Sequence, residues 1–379
     1  MNQVRVLVAP DKFKGCLTAA EVADAIAEGI AIAPGGSGAP DAPRVQTLPL
    51  ADGGDGSVSA AIRAGFTAIP VEVTGPDGQQ VAAVIAFDGS TAVVEVAAVS
   101  GLAMLGDRRD AIGTTSRGVG DAIRSALDVG ATRIIIALGG SATTDGGAGM
   151  LSALGVRFLT RDGVPVAPTG GNLGDVDHLD VTGLIPLHNV ELVAACDVRN
   201  PLLGPVGAAA VFAPQKGADE AEVDMLERNL SHLVGLLSAA GRPDAADLAG
   251  ADGAGSAGGI AFALALLGGE LVSGADLFLD LLDYDALVRE NDVIVTGEGS
   301  LDAQTGQGKL IAAVARRAHG RPVIAVVGRS ELSDEEIERL GIREVHALVA
   351  MSDADTRSAS ALSRELLTLV GTRIAGHPR

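Results

Sequence analysis

The chain is 379 residues long and strongly acidic, with 48 Asp and Glu against 28 Lys and Arg and a formal net charge of −20. That balance argues against a nucleic-acid partner, which is held by cations that neutralise its phosphates. With no Trp and a single Tyr, the chain also lacks aromatic platforms for stacking single-stranded bases.

Residues 1–10 form a short apolar run that meets Asp11 and Lys12 at once, which predicts a first strand over residues 4–8 rather than a secretory leader. Thr18-Ala-Ala-Glu21 is a capping box, opening a helix whose Val22, Ile26 and Ile30 share one face. A second strand is predicted over residues 45–50. Residues 81–87 and 91–96 read as a hairpin about Asp88-Gly89-Ser90, residues 133–137 as a buried strand running into a glycine loop, and residues 191–196 as another buried strand. The stretch 250–259 reads as a flexible linker, although the helical pattern after it also permits a ligand loop. Residues 292–296, 322–327 and 345–349 are predicted strands separated by helices, the second of which starts at the capping box Ser333-Asp-Glu-Glu336.

The longest strongly apolar stretch, residues 260–267, is far shorter than the ~20 residues of a membrane helix, so a soluble chain with no membrane partner is expected. Two cysteines, Cys16 and Cys196, make no disulfide framework and no zinc site, which points to the cytoplasm. The length exceeds that of a usual single domain. Both ends alternate short β-branched runs with helices, as βα units of a parallel sheet do, whereas the middle is richer in Gly, Pro and turns. The expected fold is α/β with two domains: a discontinuous parallel-sheet domain from residues 1–75 and 286–379, and an inserted second α/β domain over 76–285. Active-site loops from both are expected to face one cleft.

Four Gly/Asp-rich segments follow apolar runs, at residues 48–56, 138–149, 196–204 and 295–309. Glycine lets backbone amides approach a ligand, and amides at helix N-termini attract anions, so phosphate is the expected guest. Carboxylates in the same loops would repel phosphate unless magnesium lay between them, which is the arrangement of nucleotide-dependent phosphoryl transfer. Other signatures fail. Ala303 and Leu310 break a Walker A loop around Gly308-Lys309, residues 297–302 lack the third glycine of a dinucleotide fingerprint, and the stretch from Gly139 to Thr143 lacks the last glycine of a nucleophile elbow. Lys12, Lys14, Lys216 and Lys309 each lie beside a Gly or Pro and supply candidate cations. Asp197 ends a buried strand pattern, where a carboxylate is costly without a partner. Ordinary structural jobs stand beside these readings: Asp52 as a helix N-cap, Asp145 as an Asx turn, Asn200-Pro201 as a turn initiator.

At these loops the sequence resembles the type I glycerate kinase family across essentially the whole chain, in residues 9–17, 50–56, 138–149, 196–202, 212–217 and 297–304. The resemblance implies transfer of the ATP γ-phosphoryl group to a hydroxyl of D-glycerate, commonly the 2-hydroxyl, with Mg2+. It implies two α/β domains, the discontinuous one flavodoxin/Rossmann-like. Lys12 and Cys16 stand where the family often has Ser, Asp55 and Ser57 replace a usual Glu-Gly-Thr arrangement, and Thr144 replaces a frequent Asn. On this basis Asp197 orients or deprotonates the acceptor, Lys14 and Lys216 stabilise charge on the phosphoryl group or the glycerate carboxylate, and Asp52 with Asp302 coordinates magnesium. Substrate or nucleotide binding falls to Asp11, Gly53, Gly54, Asn200, Glu298 and Lys309, and to the loop carrying Gly139, Gly140, Ser141, Thr143 and Asp145. The expected partners are small molecules, with the chain a monomer or homodimer. The competing expectations are a kinase for another small hydroxy acid or polyol, and a non-catalytic hydroxy-acid-binding regulator.

Overall fold

A computed structural model describes residues 3–33, 42–302, 310–352 and 354–376. In chain order the strands are Arg5–Pro10 (β1), Arg44–Thr47 (β2), Thr67–Thr74 (β3), Gln80–Phe87 (β4), Thr91–Glu95 (β5), Arg133–Ala137 (β6) and Arg157–Leu159 (β7). Pro165–Val166 (β8), His178–Asp180 (β9), Glu191–Ala195 (β10), Glu270–Val272 (β11), Val293–Leu301 (β12), Val323–Ser330 (β13) and Glu344–Ala347 (β14) follow.

The chain divides into two compact units, Met1–Asp52 with Ala275–Arg379, and Gly53–Gly274. These boundaries differ from the expected breaks at 75/76 and 285/286, for reasons visible in the pairing. β3 pairs with β4 along its whole length, from Thr67↔Phe87 to Thr74↔Gln80, so it belongs to the second sheet. At the other junction Arg317 forms ion pairs with Asp280 (2.6 Å) and Asp285 (2.9 Å), and Tyr284 donates to the Val314 carbonyl (3.1 Å), tying residues 275–285 to the first unit.

The first unit is built on a five-stranded sheet in the order β14-β13-β12-β1-β2, every pair parallel. The central strands are nearly continuous apolar runs, as expected where helices cover both faces. The capping box after β1 forms: Thr18 Oγ1 accepts from the Glu21 amide (3.2 Å), and the Thr18 amide donates to Glu21 Oε2 (2.8 Å), opening the helix Ala19–Ile32. Ser333 caps Asp334–Arg339 in the same way. β12 runs to Leu301, beyond the predicted end at 296, so Glu298 lies within the strand opposite Val327 rather than after it. The helix Ala19–Ile32 packs on the C-terminal helix Ser360–Gly376, and they approach so closely that glycine is required at the crossing. A Cβ on Gly29 would lie 2.0 Å from the Thr368 carbonyl oxygen, and one on Gly371 2.3 Å from that of Ile26.

The second unit holds a six-stranded sheet ordered β11-β10-β6-β5-β4-β3 and a three-stranded sheet ordered β8-β7-β9. β3, β4 and β5 pair antiparallel, and the remaining neighbours of the larger sheet pair parallel. The predicted hairpin forms between β4 and β5, its turn held by Asp88 Oδ1, which accepts from the Ser90 and Thr91 amides (2.8 and 2.7 Å). The segment 250–259 is not a linker. Ala254, Ser256, Gly258 and Gly259 are buried, and a Cβ on Gly258 would meet the Thr143 carbonyl oxygen at 1.9 Å, so its glycines permit backbone crossing inside the unit.

Overpacking the helix crossing in the first unit should destabilise the protein. Gly29→Val is expected to lower the unfolding free energy by about 1–3 kcal/mol, read by urea denaturation; an unchanged midpoint would contradict this packing.

Candidate functional site

In a parallel α/β sheet, ligands bind beyond the carboxyl ends of the strands. In the first unit a cavity of about 400 Å³ lies there, its lining including Asp11, Lys12, Lys14, Asp52 and Glu298. β1 leads directly into Asp11, whose amide donates to the Gly297 carbonyl of β12 (2.7 Å). Phe13 and Leu17 exchange backbone hydrogen bonds (2.8 and 2.9 Å), with Gly15 at φ +77° in the turn between them. Burial of both apolar side chains anchors this turn and leaves Lys14 exposed. The Lys12 ammonium lies 3.6 Å from Asp11 and 3.3 Å from Asp52. Burial pushes the Asp11 carboxyl up to about 7, the Asp52 charge adds to the rise, and Lys12 opposes it.

In the second unit a glycine-rich loop leaves β6 and contains the buried Asp145. Asp145 Oδ2 accepts from the Ser116 amide (2.8 Å), Ser116 Oγ (2.8 Å) and the Gly149 amide (3.1 Å), while Oδ1 accepts from the Gly147 amide (3.0 Å). Lys216 is 2 % exposed. Its ammonium donates to Ser141 Oγ (3.1 Å) and to the Thr143 carbonyl. Burial drives the Lys216 ammonium down to about 7, against the attraction of Asp145. Burial likewise raises the Asp145 carboxyl above its ordinary value, against its hydrogen bonds. Thr143 Oγ1 and Thr144 Oγ1 are buried with no hydrogen-bond partner among the described residues.

The glycines predicted to admit a ligand are also closely packed. The Gly139 amide donates to the Gly53 carbonyl (3.1 Å), and a Cβ on Gly139 would sit 2.5 Å from Gly54 Cα. Gly140 has φ +77°, and a Cβ there would lie 2.9 Å from Asp55 Oδ1. Asp197 follows β10 but is exposed, so the expected cost of burying it does not arise. Its Oδ1 accepts from Ser273 Oγ (3.2 Å) and the Gly274 amide (2.9 Å), which fix the carboxylate at the sheet's carboxyl edge. Asn200 Nδ2 donates to the Val206 carbonyl (2.8 Å), closing its own loop.

Within the first unit, Asp11, Lys14, Asp52 and Glu298 are therefore brought to one cavity. Asp302 does not line it; half-buried, it accepts from Ser300 Oγ (3.4 Å). Lys309 lies outside the described residues. Asp145, expected at a ligand, is 0 % exposed, and its oxygens face backbone amides and Ser116, so that it anchors its own loop. Lys216, expected to stabilise charge on the phosphoryl group or the glycerate carboxylate, is a buried ammonium bonded to Ser141 Oγ and the Thr143 carbonyl. Missed in the sequence were Ser116, which holds Asp145, and Arg329 and Arg357, which reach the cavity of the first unit. Arg329 carried a usable signal, since it sits at the carboxyl end of a predicted parallel strand.

The Lys216 environment has a defined pH signature. Its folded pKa lies below the unfolded value, so between about 7 and 10.5 the unfolded chain binds more protons and stability rises with pH. Lys216→Met is expected to flatten that rise, measured by urea unfolding across the window; wild type and variant with parallel profiles would contradict the burial of this charge.

A sequence profile of the glycerate kinase family matches residues 6–377. The chain is 40% identical over 374 residues to a glycerate kinase of Bacillus subtilis (strain 168), covering 95% of each chain. It is 42% identical over 357 residues to a glycerate 2-kinase of Escherichia coli (strain K12), covering 92% of this chain and 90% of that one. The crystal structure of a candidate glycerate kinase 2 from Salmonella typhimurium LT2 superposes with a TM-score of 0.81 at 37% identity, over 99% of this chain and 98% of that one. With the family profile spanning nearly every residue and relatives of this identity matched almost end to end, the chain belongs to the glycerate kinase family.

Proposed function

We propose that the protein is an ATP-dependent glycerate kinase that transfers the γ-phosphoryl group to the 2-hydroxyl of D-glycerate. The observation that carries this reading is the family match over residues 6–377, joined to relatives that bear the names glycerate kinase and glycerate 2-kinase. The residues suit the chemistry. Phosphoryl transfer needs positioning and electrostatic stabilisation more than covalent participation, and this chain offers carboxylates and cations at the carboxyl ends of its strands.

Asp197 is assigned to the acceptor. An exposed carboxylate held on one oxygen by Ser273 and the Gly274 amide is oriented to take the proton of a bound hydroxyl. Lys14, exposed beside the first unit's cavity, is assigned to charge developing on the transferred group. Lys216 supports the reaction by fixing Ser141 and the Thr143 carbonyl, and so the shape of the glycine loop.

Magnesium, when bound, neutralises phosphate charge during transfer. Among the described residues no group of three or more His, Cys, Asp and Glu could hold a metal by itself. Magnesium is held through one or two carboxylates, with substrate phosphates and water completing its shell. Asp52, which lines the first unit's cavity, is the proposed protein contribution, and Asp302, which does not line it, is carried as a second ligand only by the family resemblance. The free thiols Cys16 and Cys196 support a reducing, cytoplasmic setting.

Coupled ADP release is expected with D-glycerate and not with unrelated short polyols, and phosphorus NMR of the product should show the ester on the 2-hydroxyl. Turnover with other hydroxy acids but not with D-glycerate would replace the proposed substrate. Asp197→Asn is expected to lower kcat by about 10²–10⁴-fold with little change in either KM; a near-wild-type kcat would remove Asp197 from the chemistry.

A further inference from the structure

We infer that the cavity of the first unit is the nucleotide site, and that Arg329 and Arg357 are phosphate-binding cations within it. This inference rests on the kinase reading and adds to it which unit holds the nucleotide and which residues grip it.

The argument begins with topology. The chain passes from β1 outward to β2 on one side, whereas β12, β13 and β14 extend the sheet on the other. In the unit's own chain order the strands therefore run 2-1-3-4-5, and the order reverses between β1 and β12. Connections that leave neighbouring strands on opposite faces open a crevice at their carboxyl ends, and nucleotides and their phosphates bind there. The cavity occupies that position: Asp11 and Lys12 enter it after β1, Glu298 from β12 and Arg329 from β13.

Charge is the second strand of the argument. In a chain of net charge −20, Lys12, Lys14, Arg329 and Arg357 all line one cavity. Arg329 is held by two partners: its Nε donates to Ser300 Oγ (3.1 Å), and Nη1 lies 3.3 Å from Glu331. Arg357 is aligned by Asp355, whose Oδ1 accepts from Nε (3.1 Å). Guanidinium groups steadied in this way keep further N–H donors for phosphate oxygens, which they bind as a fork.

Size and polarity separate a nucleotide from a three-carbon acid. A volume of about 400 Å³ falls in the range of cofactor pockets and greatly exceeds the space a three-carbon acid fills. Part of the wall is apolar. Val349 is 47 % exposed at the rim and offers a surface for a base, which glycerate does not need.

The test uses the full-length enzyme with Arg329→Ala, Arg357→Ala and the double variant, each checked for native circular dichroism. Binding of MgADP is measured by titration calorimetry without glycerate, and KM is measured for ATP and for D-glycerate separately. Each single change is expected to weaken MgADP and raise the ATP KM by about tenfold, the loss of one charge-assisted hydrogen bond. The glycerate KM should stay within about twofold, and Arg329→Lys should recover part of the loss because it keeps the charge. Folded variants with unchanged MgADP affinity would overturn the assignment, as would a raised glycerate KM with unchanged nucleotide binding, which would give the cavity to the acid. Should wild type bind MgADP, lose it on these substitutions and yet phosphorylate no glycerate, the nucleotide site would stand and the glycerate kinase reading would fall.

Discussion

The organisation of the second unit depends on one buried charge. Asp145 is wholly enclosed, and an unpaired carboxylate there would cost several kcal/mol. Its two oxygens accept from Ser116, Gly147 and Gly149, and Lys216 supplies the opposing charge. These bonds draw the start of the helix Arg117–Asp128, the glycine loop after β6 and the helix Ala148–Ala153 to a single point. Lys216 then fastens the loop from the other side through Ser141 and Thr143. Removing the Ser116 hydroxyl or the loop amides would leave the Asp145 carboxylate short of partners in a low-dielectric interior.

A parallel sheet imposes a second constraint. All its strands end on one side, and the loops at that side collect side chains that are remote in sequence. In the first unit this places Asp11 and Lys12 from the start of the chain with Glu298 and Arg329 from near its end. In the second unit the same rule puts Asp197 after β10 beside Ser273 after β11. The protein's overall negative charge does not draw anions inward, so local lysines and arginines must supply the attraction that the long-range field withholds.

Glycine here answers to two demands, the ligand approach that its loops suggest and the close packing of backbone around it. Gly53, Gly54, Gly139 and Gly140 mark places where bare backbone is required, and their sequence context suggested a ligand. What lies against Gly139 is Gly54, and what lies against Gly258 is the Thr143 carbonyl. The run 250–259 looked like a linker for the same reason: composition reports the absence of side chains and is silent on what fills the space.

Local physics was legible in the residues. Capping boxes at Thr18 and Ser333 and the hairpin turn at Asp88 involve partners a few positions apart, so their hydrogen bonds are written in adjacent letters. The family resemblance was equally visible, since it lies in ordered short motifs. Burial and long-range partnership were decided only by the fold. Nothing near Lys216 announces that its ammonium is enclosed 75 positions from Ser141, nothing beside Asp197 reveals that it is exposed, and nothing at β3 says that it joins the sheet after it. Those properties depend on which surfaces meet once the strands have paired, and pairing is a relation between distant segments that no single stretch of chain contains.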